Sequence, residues 1–256
     1  MNKNTKRSPL RDKPLHQAGQ SLQVRLLKTI IDKQMAPILV ITILVILTFL
    51  EWLRLYVNTP NLHWLYTVIT IAFAIYFLFY WKKNNKEIEN IRLGLQGEEI
   101  VAEKLNDLRE LGYKVYNDVV ADGFNIDHIL IGPAGIFTIE TKTYRKANNK
   151  DCQIYYDGQT IKIDNFDISK MKNPIKQAKG QKYWLQRILS KYFNNLKIRS
   201  VVIFPGWYIN TSSSYPEVMI CNENSFLSVI KKEKQVLDKN QINEVCRYIE
   251  SYVRNN

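Results

Sequence analysis

The sequence predicts an α/β domain standing behind an N-terminal transmembrane helical hairpin. Two observations carry most of this: a pair of apolar runs separated by the short stretch Val57 to Asn61, and short β-rich segments interleaved with amphipathic helical stretches from residue 91 onward. A third is the charge distribution. The chain carries 36 Lys and Arg against 24 Asp and Glu, and the excess avoids the apolar runs. Residues 1–35 hold eight basic and two acidic groups, and residues 142–199 hold fourteen and four. Two separate basic blocks need not share a partner.

The first apolar run, Pro37 to Leu50, is uninterrupted by charge. Continued to Val57 it reaches about 31 Å as a helix, enough to cross a bilayer. Glu51 and Arg54 at its far end stand at i,i+3 spacing beside Trp52 and Tyr56, aromatics suited to headgroup depth. The second run, Leu62 to Trp81, has no formal charge and is bracketed by Trp64 and Trp81. A cleaved signal peptide would not begin after 35 polar and basic residues, and core helices rarely lack charge over such lengths. The expected layout is therefore a basic cytoplasmic arm at 1–35, spans at 36–57 and 62–81, a linker at 82–91 and a soluble domain at 92–256. Lys28 and Lys33 precede the first span, Lys82, Lys83 and Lys86 follow the second, and the tip has no Lys or Arg. That flank pattern places both termini and the soluble domain in the cytoplasm of a multi-pass cell-membrane protein, with anionic lipid at the basic flanks. Three cysteines without CxxC spacing and three scattered histidines argue against disulfide frameworks and Cys or His metal sites, so any metal would be held by carboxylates.

In the soluble part, Val101, Ala102, Leu105 and Leu108 form one helical stripe, and Glu98 falls on it while Glu99 and Glu103 face away. A carboxylate facing a core is costly unless paired or used. Asn125 to Ile131 and Ile136 to Tyr144 flank the turn Gly132-Pro133-Ala134-Gly135 and read as an antiparallel hairpin. With Ile131 opposite Ile136, Asp127 faces Glu140, and period-two alternation puts Lys142 on the face of Glu140. Apolar residues on both faces of these strands mark a sheet covered twice, which leaves no solvated side for an idle like-charge pair. Gln153 to Tyr156 and Thr160 to Ile163 suggest a second hairpin. Asn173-Pro174 opens a helix whose Gln177 and Gln181 share a face, and Lys170, Lys172, Lys176, Lys179 and Lys182 surround it with Tyr183 and Trp184 interleaved. Val201 to Phe204 and Val218 to Ile220 read as strands, and Asn240 to Val253 as a closing helix.

In order and spacing, Gly94-Leu95-Gln96-Gly97-Glu98, Asn125 to Ile131, Gly132 to Phe137, Ile139-Glu140-Thr141-Lys142 and Asn173-Pro174-Ile175-Lys176-Gln177 resemble the nuclease-related domain, NERD, over about residues 92–190. That family is similar to the restriction-endonuclease-like PD-(D/E)xK superfamily. The resemblance implies a restriction-endonuclease-like core, a mixed sheet flanked by helices. It implies Asp127 and Glu140 as metal ligands, Lys142 as the catalytic lysine, Glu98 as an outer-shell or second-metal carboxylate and Gln177 as the polar residue of the later helix. Mg²⁺ or Mn²⁺ is the expected cofactor, and nucleic acid the expected partner, with Lys172, Lys176, Lys179 and Lys182 touching it by sequence-independent attraction. The function expected is a membrane-anchored, metal-dependent nuclease acting on DNA or RNA. The alternative is a non-catalytic, membrane-tethered nucleic-acid-binding or protein-interaction module on the same fold.

The charge flanks make one direct prediction. In intact cells, an impermeant thiol reagent should label Asn58→Cys and leave Asn90→Cys untouched; labelling of Asn90→Cys alone would reverse the orientation.

Overall fold

The structure, a computed structural model, describes residues 14–57, 62–146, 152–164, 166–168, 173–194, 196–212 and 217–255. The chain forms two compact units, Ser21–Leu93 and a second made of Met1–Gln20 with Gly94–Asn256.

The first unit is built from α1 (Gln20–Ile30), α2 (Ala36–Leu53) and the opening part of α3 (His63–Asn106). Between α1 and α2 one turn, Ile31–Met35, is wound as a π-helix. Pro37 explains it. Lacking an N–H, Pro37 cannot bond the Lys33 carbonyl, and the ladder is rejoined with a wider step, Ala36 N–H to Ile31 O. Polar contacts tie the helices together at intervals. Thr48 and Thr70 share a hydrogen bond of 2.8 Å, Trp52 Nε1 donates to Thr67 Oγ1 at 3.0 Å, and Lys33 pairs with Glu87 at 2.5 Å. Arg54 and Glu51 pair at 2.9 Å, as their spacing implies, within the 3-10 turn and helix end that finish the first run. Two helical stretches, Gln20–Val57 and His63–Leu111, are long and apolar enough to cross a membrane by length and composition.

The linker expected at 82–91 is instead helical, and no break separates the second apolar run from the helix that carries Glu98. The reason is compositional: Lys82 to Ile91 contains neither Pro nor Gly, and its Lys and Glu residues favour helix. A 3-10 turn (Arg109–Leu111) follows, and Gly112, at φ 83°, ends it in the left-handed conformation.

The second unit centres on a five-stranded mixed sheet of order β1-β2-β3-β7-β9. Its strands are β1 (Lys114–Val120), β2 (Asn125–Gly132), β3 (Gly135–Thr141), β7 (Ile198–Ile203) and β9 (Val218–Cys221). The β2–β3 hairpin has the expected register, with Ile131 opposite Ile136 and His128 opposite Ile139. Strands β3, β7 and β9 then run parallel. Helix α4 (Pro174–Leu189) supplies the crossover between β3 and β7, capped at its start by Asn173, whose side chain accepts from the Ile175 and Lys176 N–H groups. A smaller sheet, β6-β5-β4-β8, holds β4 (Ile154–Tyr156), β5 (Ile161–Ile163), β6 (Phe166–Asp167) and β8 (Ile209–Thr211).

Both faces of the large sheet are covered. On one, Ile129, Ile131 and Ile136 pack with Trp184 and Leu185 of α4 and with Val245 and Ile249 of α6 (Lys239–Asn255). On the other, Leu130, Phe137 and Ile139 pack with Val101 and Leu105 of α3 and Phe226 of α5 (Glu223–Ile230). Trp184 belongs to this core, stacked edge-on against Phe124 and Tyr252, and is not a surface aromatic for a nucleic acid. Tyr183, its neighbour, is exposed. Trp184→Ala should accordingly cost about 3–5 kcal/mol and Tyr183→Ala no more than about 0.5 kcal/mol, read from melting curves of the detergent-solubilised chain.

Candidate functional site: a buried carboxylate and lysine cluster

Four acidic residues meet near the end of β3. Glu140, the penultimate residue of that strand, is 2% exposed. Numbering along the β2–β3 ladder places Asp127 beside it, and Asp127 Oδ2 reaches past Glu140 to accept the Thr141 N–H at 2.7 Å. Glu98 enters from α3 and is buried, whereas Glu99 and Glu103 are exposed, as their positions on the helix dictate. Gly97 makes this approach feasible: a Cβ there would run into the Thr143 methyl group, just beyond β3.

The fourth is Asp118, on β1. The β1–β2 ladder steps from Asn117 opposite His128 to Val119 opposite Ile126, which leaves Asp118 across from Asp127. Asp118 is buried, has φ 47°, and accepts a hydrogen bond from Asn125 Nδ2 at 3.0 Å. A left-handed aspartate inside a strand is held there by its surroundings. Sequence reasoning did not single it out, because only the register of β1 against β2 brings it opposite Asp127.

The electrostatics follow from burial. Desolvation first, then the charges of Asp118 and Glu140, push the Glu98 carboxyl up to about 7, against the pull of Lys142 and a hydrogen bond from the Gly19 N–H. Asp127 keeps some exposed surface but is crowded on all sides; burial, then Glu140 and Glu98, holds its carboxyl well above the usual range. Lys142 answers these charges. Burial works against its cation, yet Glu140, with which it pairs at 2.5 Å, and Asp127 keep its ammonium above the ordinary lysine value. Its backbone is fixed as well, Lys142 N–H donating to Ile203 O of β7 at 2.9 Å.

Gln181 of α4 completes the cluster. It is buried, and its Nε2 donates to Glu140 Oε2 at 2.5 Å and to the Asn125 carbonyl at 3.3 Å. Gln177, which the family resemblance implied as the polar residue of this helix, lies one turn earlier and is only half-buried. The two share a helical face, so the i,i+4 spacing contained the information. The side chain that lies between Ala178 and Leu185 on the buried stripe is the one that reaches β3. Of the four lysines expected at a nucleic acid, Lys172 lies outside the described residues. Lys176 is exposed, Lys179 is tied to Glu217 at 2.6 Å, and Lys182 adds its charge near the same Glu217.

Among the described residues no three His, Cys, Asp or Glu side chains already stand in metal-holding geometry, and both Glu140 oxygens are engaged, by Lys142 and by Gln181. The donor set nevertheless fits a hard divalent cation such as Mg²⁺. It consists of oxygens whose mutual repulsion such an ion would relieve, together with Gln181 Oε1, a buried acceptor with no hydrogen-bond partner.

Fold and site thus define an α/β domain with a carboxylate and lysine cluster at the centre of a mixed sheet. Residues 93–205 match the family model described as Nuclease-related domain, NERD. The match contains Glu98, Asp118, Asp127, Glu140, Lys142 and Gln181, and it extends through β7. No curated protein and no solved structure matches the chain.

The raised carboxyls predict a pH dependence. Where a folded-state pKa lies above the unfolded one, the native state binds protons that the unfolded state has released, so stability falls as pH rises between the two values. For Glu98 that window runs from 4.5 to about 7. In chelator, Glu98→Gln should therefore gain melting temperature relative to wild type on going from pH 5 to pH 8, a change on the order of 1–3 kcal/mol. An unchanged difference across that range would remove the charge repulsion from the account.

Proposed function

We propose that the chain is a membrane-anchored, metal-dependent nuclease hydrolysing phosphodiester bonds. The single observation that carries this reading is the convergence of Glu98, Asp127, Glu140 and Lys142 at one buried point within the segment that matches the nuclease-related domain. The arrangement suits the restriction-endonuclease-like pattern of an aspartate followed by Glu-x-Lys.

In this reading Asp127 and Glu140 hold Mg²⁺ or Mn²⁺, with Glu98 and Asp118 around them. The ion supplies charge stabilisation for the phosphate and lowers the pKa of water. The chain's own groups do the rest. Lys142, cationic and with its backbone fixed to β7, would stabilise the charge that develops on the phosphate oxygens. With a cation bound by Glu140, the same ammonium would be free to orient the attacking water. Gln181 holds Glu140 by one oxygen and so keeps the carboxylate aimed while Lys142 is released. Lys176, exposed on α4, attracts the polyanion without reading sequence. The two apolar helices anchor this domain at the membrane, with its soluble part in the cytoplasm.

The rival reading, a non-catalytic binding module, draws on one feature: both oxygens of Glu140 are satisfied by protein groups. Cleavage decides between them. The detergent-solubilised full chain should cut a panel of single- and double-stranded DNA and RNA in Mg²⁺ and lose at least about a hundredfold in rate on Lys142→Ala. Wild type should melt at higher temperature in Mg²⁺ than in chelator. Asp127→Asn should lose that response while standing as firm as wild type without metal. A chain that binds nucleic acid, cuts none of it and ignores Mg²⁺ leaves the binding module.

A further inference from the structure

The segment ahead of α1 is the part of the chain for which the sequence offered only a basic arm. Residues 14–19 belong to the same compact unit as the site, and they touch it twice. The Gly19 N–H donates to the Glu98 carboxylate, and the His16 ring bonds through Nδ1 to the backbone carbonyl of Asp118 at 2.8 Å. Both targets are acidic residues of the cluster, and they come from different elements, α3 and β1. β1 is the edge strand of the large sheet, and its Asp118 is the residue in left-handed conformation.

Apolar burial does not explain why the segment lies there. From residue 14 to 20 only Gly19 is buried, and Leu15 remains 38% exposed. Gly19 is also fixed by its geometry: φ is 67°, and a Cβ would run into Leu95 on the helix turn before Glu98. A side chain here would be strained at this φ and would have to displace Leu95, which disturbs the N–H that meets the carboxylate. Donors of this kind, one step behind a ligating carboxylate, set its orientation and commonly change metal affinity when removed.

Building on the nuclease reading, we propose that residues 14–19 form a strap that positions the site, Gly19 aiming Glu98 and His16 clamping Asp118, so that a divalent cation is taken up with full affinity only when the strap is seated. Gly19 and His16 are positioning residues. By reciprocity, the cation must in turn hold the strap in place.

The test uses the full chain in detergent, with Mg²⁺ affinity measured by calorimetry and hydrogen exchange followed over residues 14–20. Gly19→Ala should weaken Mg²⁺ binding about tenfold or more. His16→Ala, which leaves the backbone unstrained, should weaken it less but measurably. Gln17→Ala, an exposed strap position that touches neither carboxylate, should leave it unchanged. Mg²⁺ should slow exchange at residues 16–20 in wild type, and Glu98→Ala should speed it with or without metal. Wild type that binds Mg²⁺ while Gly19→Ala and His16→Ala bind it equally well overturns the strap and leaves the nuclease reading standing. Wild type that ignores Mg²⁺ overturns the metal reading and with it the strap's role in affinity, and unchanged exchange in Glu98→Ala would also deny the seating itself. Tighter binding or faster cleavage in Gly19→Ala would mean that the strap shields the site, the opposite of what is proposed.

Discussion

The second unit is organised around acidic groups placed close together inside a sheet with no free face. Burial, and then the charge of Glu140 among others, raises the cost of ionising Glu98 and Asp127. Each neighbouring element then carries a group that offsets the cost. β3 continues into Lys142, β7 fixes that lysine's backbone, α4 brings Gln181, and the Thr141 N–H binds Asp127. A hydrophobic replacement of the cluster would be simpler to fold. The domain instead retains a repulsion that a cation would relieve, which is the expected compromise at a working site.

The parts of this arrangement legible in the sequence were those governed by local periodicity. A four-residue turn sets the β2–β3 register, and a 100° step along α3 separates Glu98 from Glu99 and Glu103. Asn173 and Pro174 announce the start of α4. What escaped depended on long-range partners. Asp118 sits where a strand departs from β geometry, and only its neighbours hold it there. That Gln181 reaches Glu140 depended on which turn of α4 lies over β3. Trp184 looked like a surface aromatic among lysines because the sequence does not reveal that Phe124 and Tyr252 enclose it. The continuous α3 was missed for a different reason: a change from apolar to charged residues reads as a boundary, although the backbone has no cause to stop.

The parallel strands and helices beyond residue 195 complete the sheet and cover it. β7 and β9 lie on the far side of β3 from the hairpin, while α5 and α6 cover opposite faces. Without β7, Lys142 would be the first residue of an untethered loop, and its ammonium would have no fixed distance from Glu140. The latter part of the chain therefore sets the precision of a site whose residues nearly all precede it.

The bond between Gly19 and Glu98 also bears on topology. The chain departs from this domain at Gln20 and rejoins it at Gly94, and the two ends meet at one carboxylate. A path that leaves a point and returns to it has a definite parity. If the apolar helices enter a bilayer, the number of crossings between those residues must be even, because a single crossing would strand Gly19 and Glu98 in different compartments. One hydrogen bond thus fixes that parity, independently of where the lysines lie.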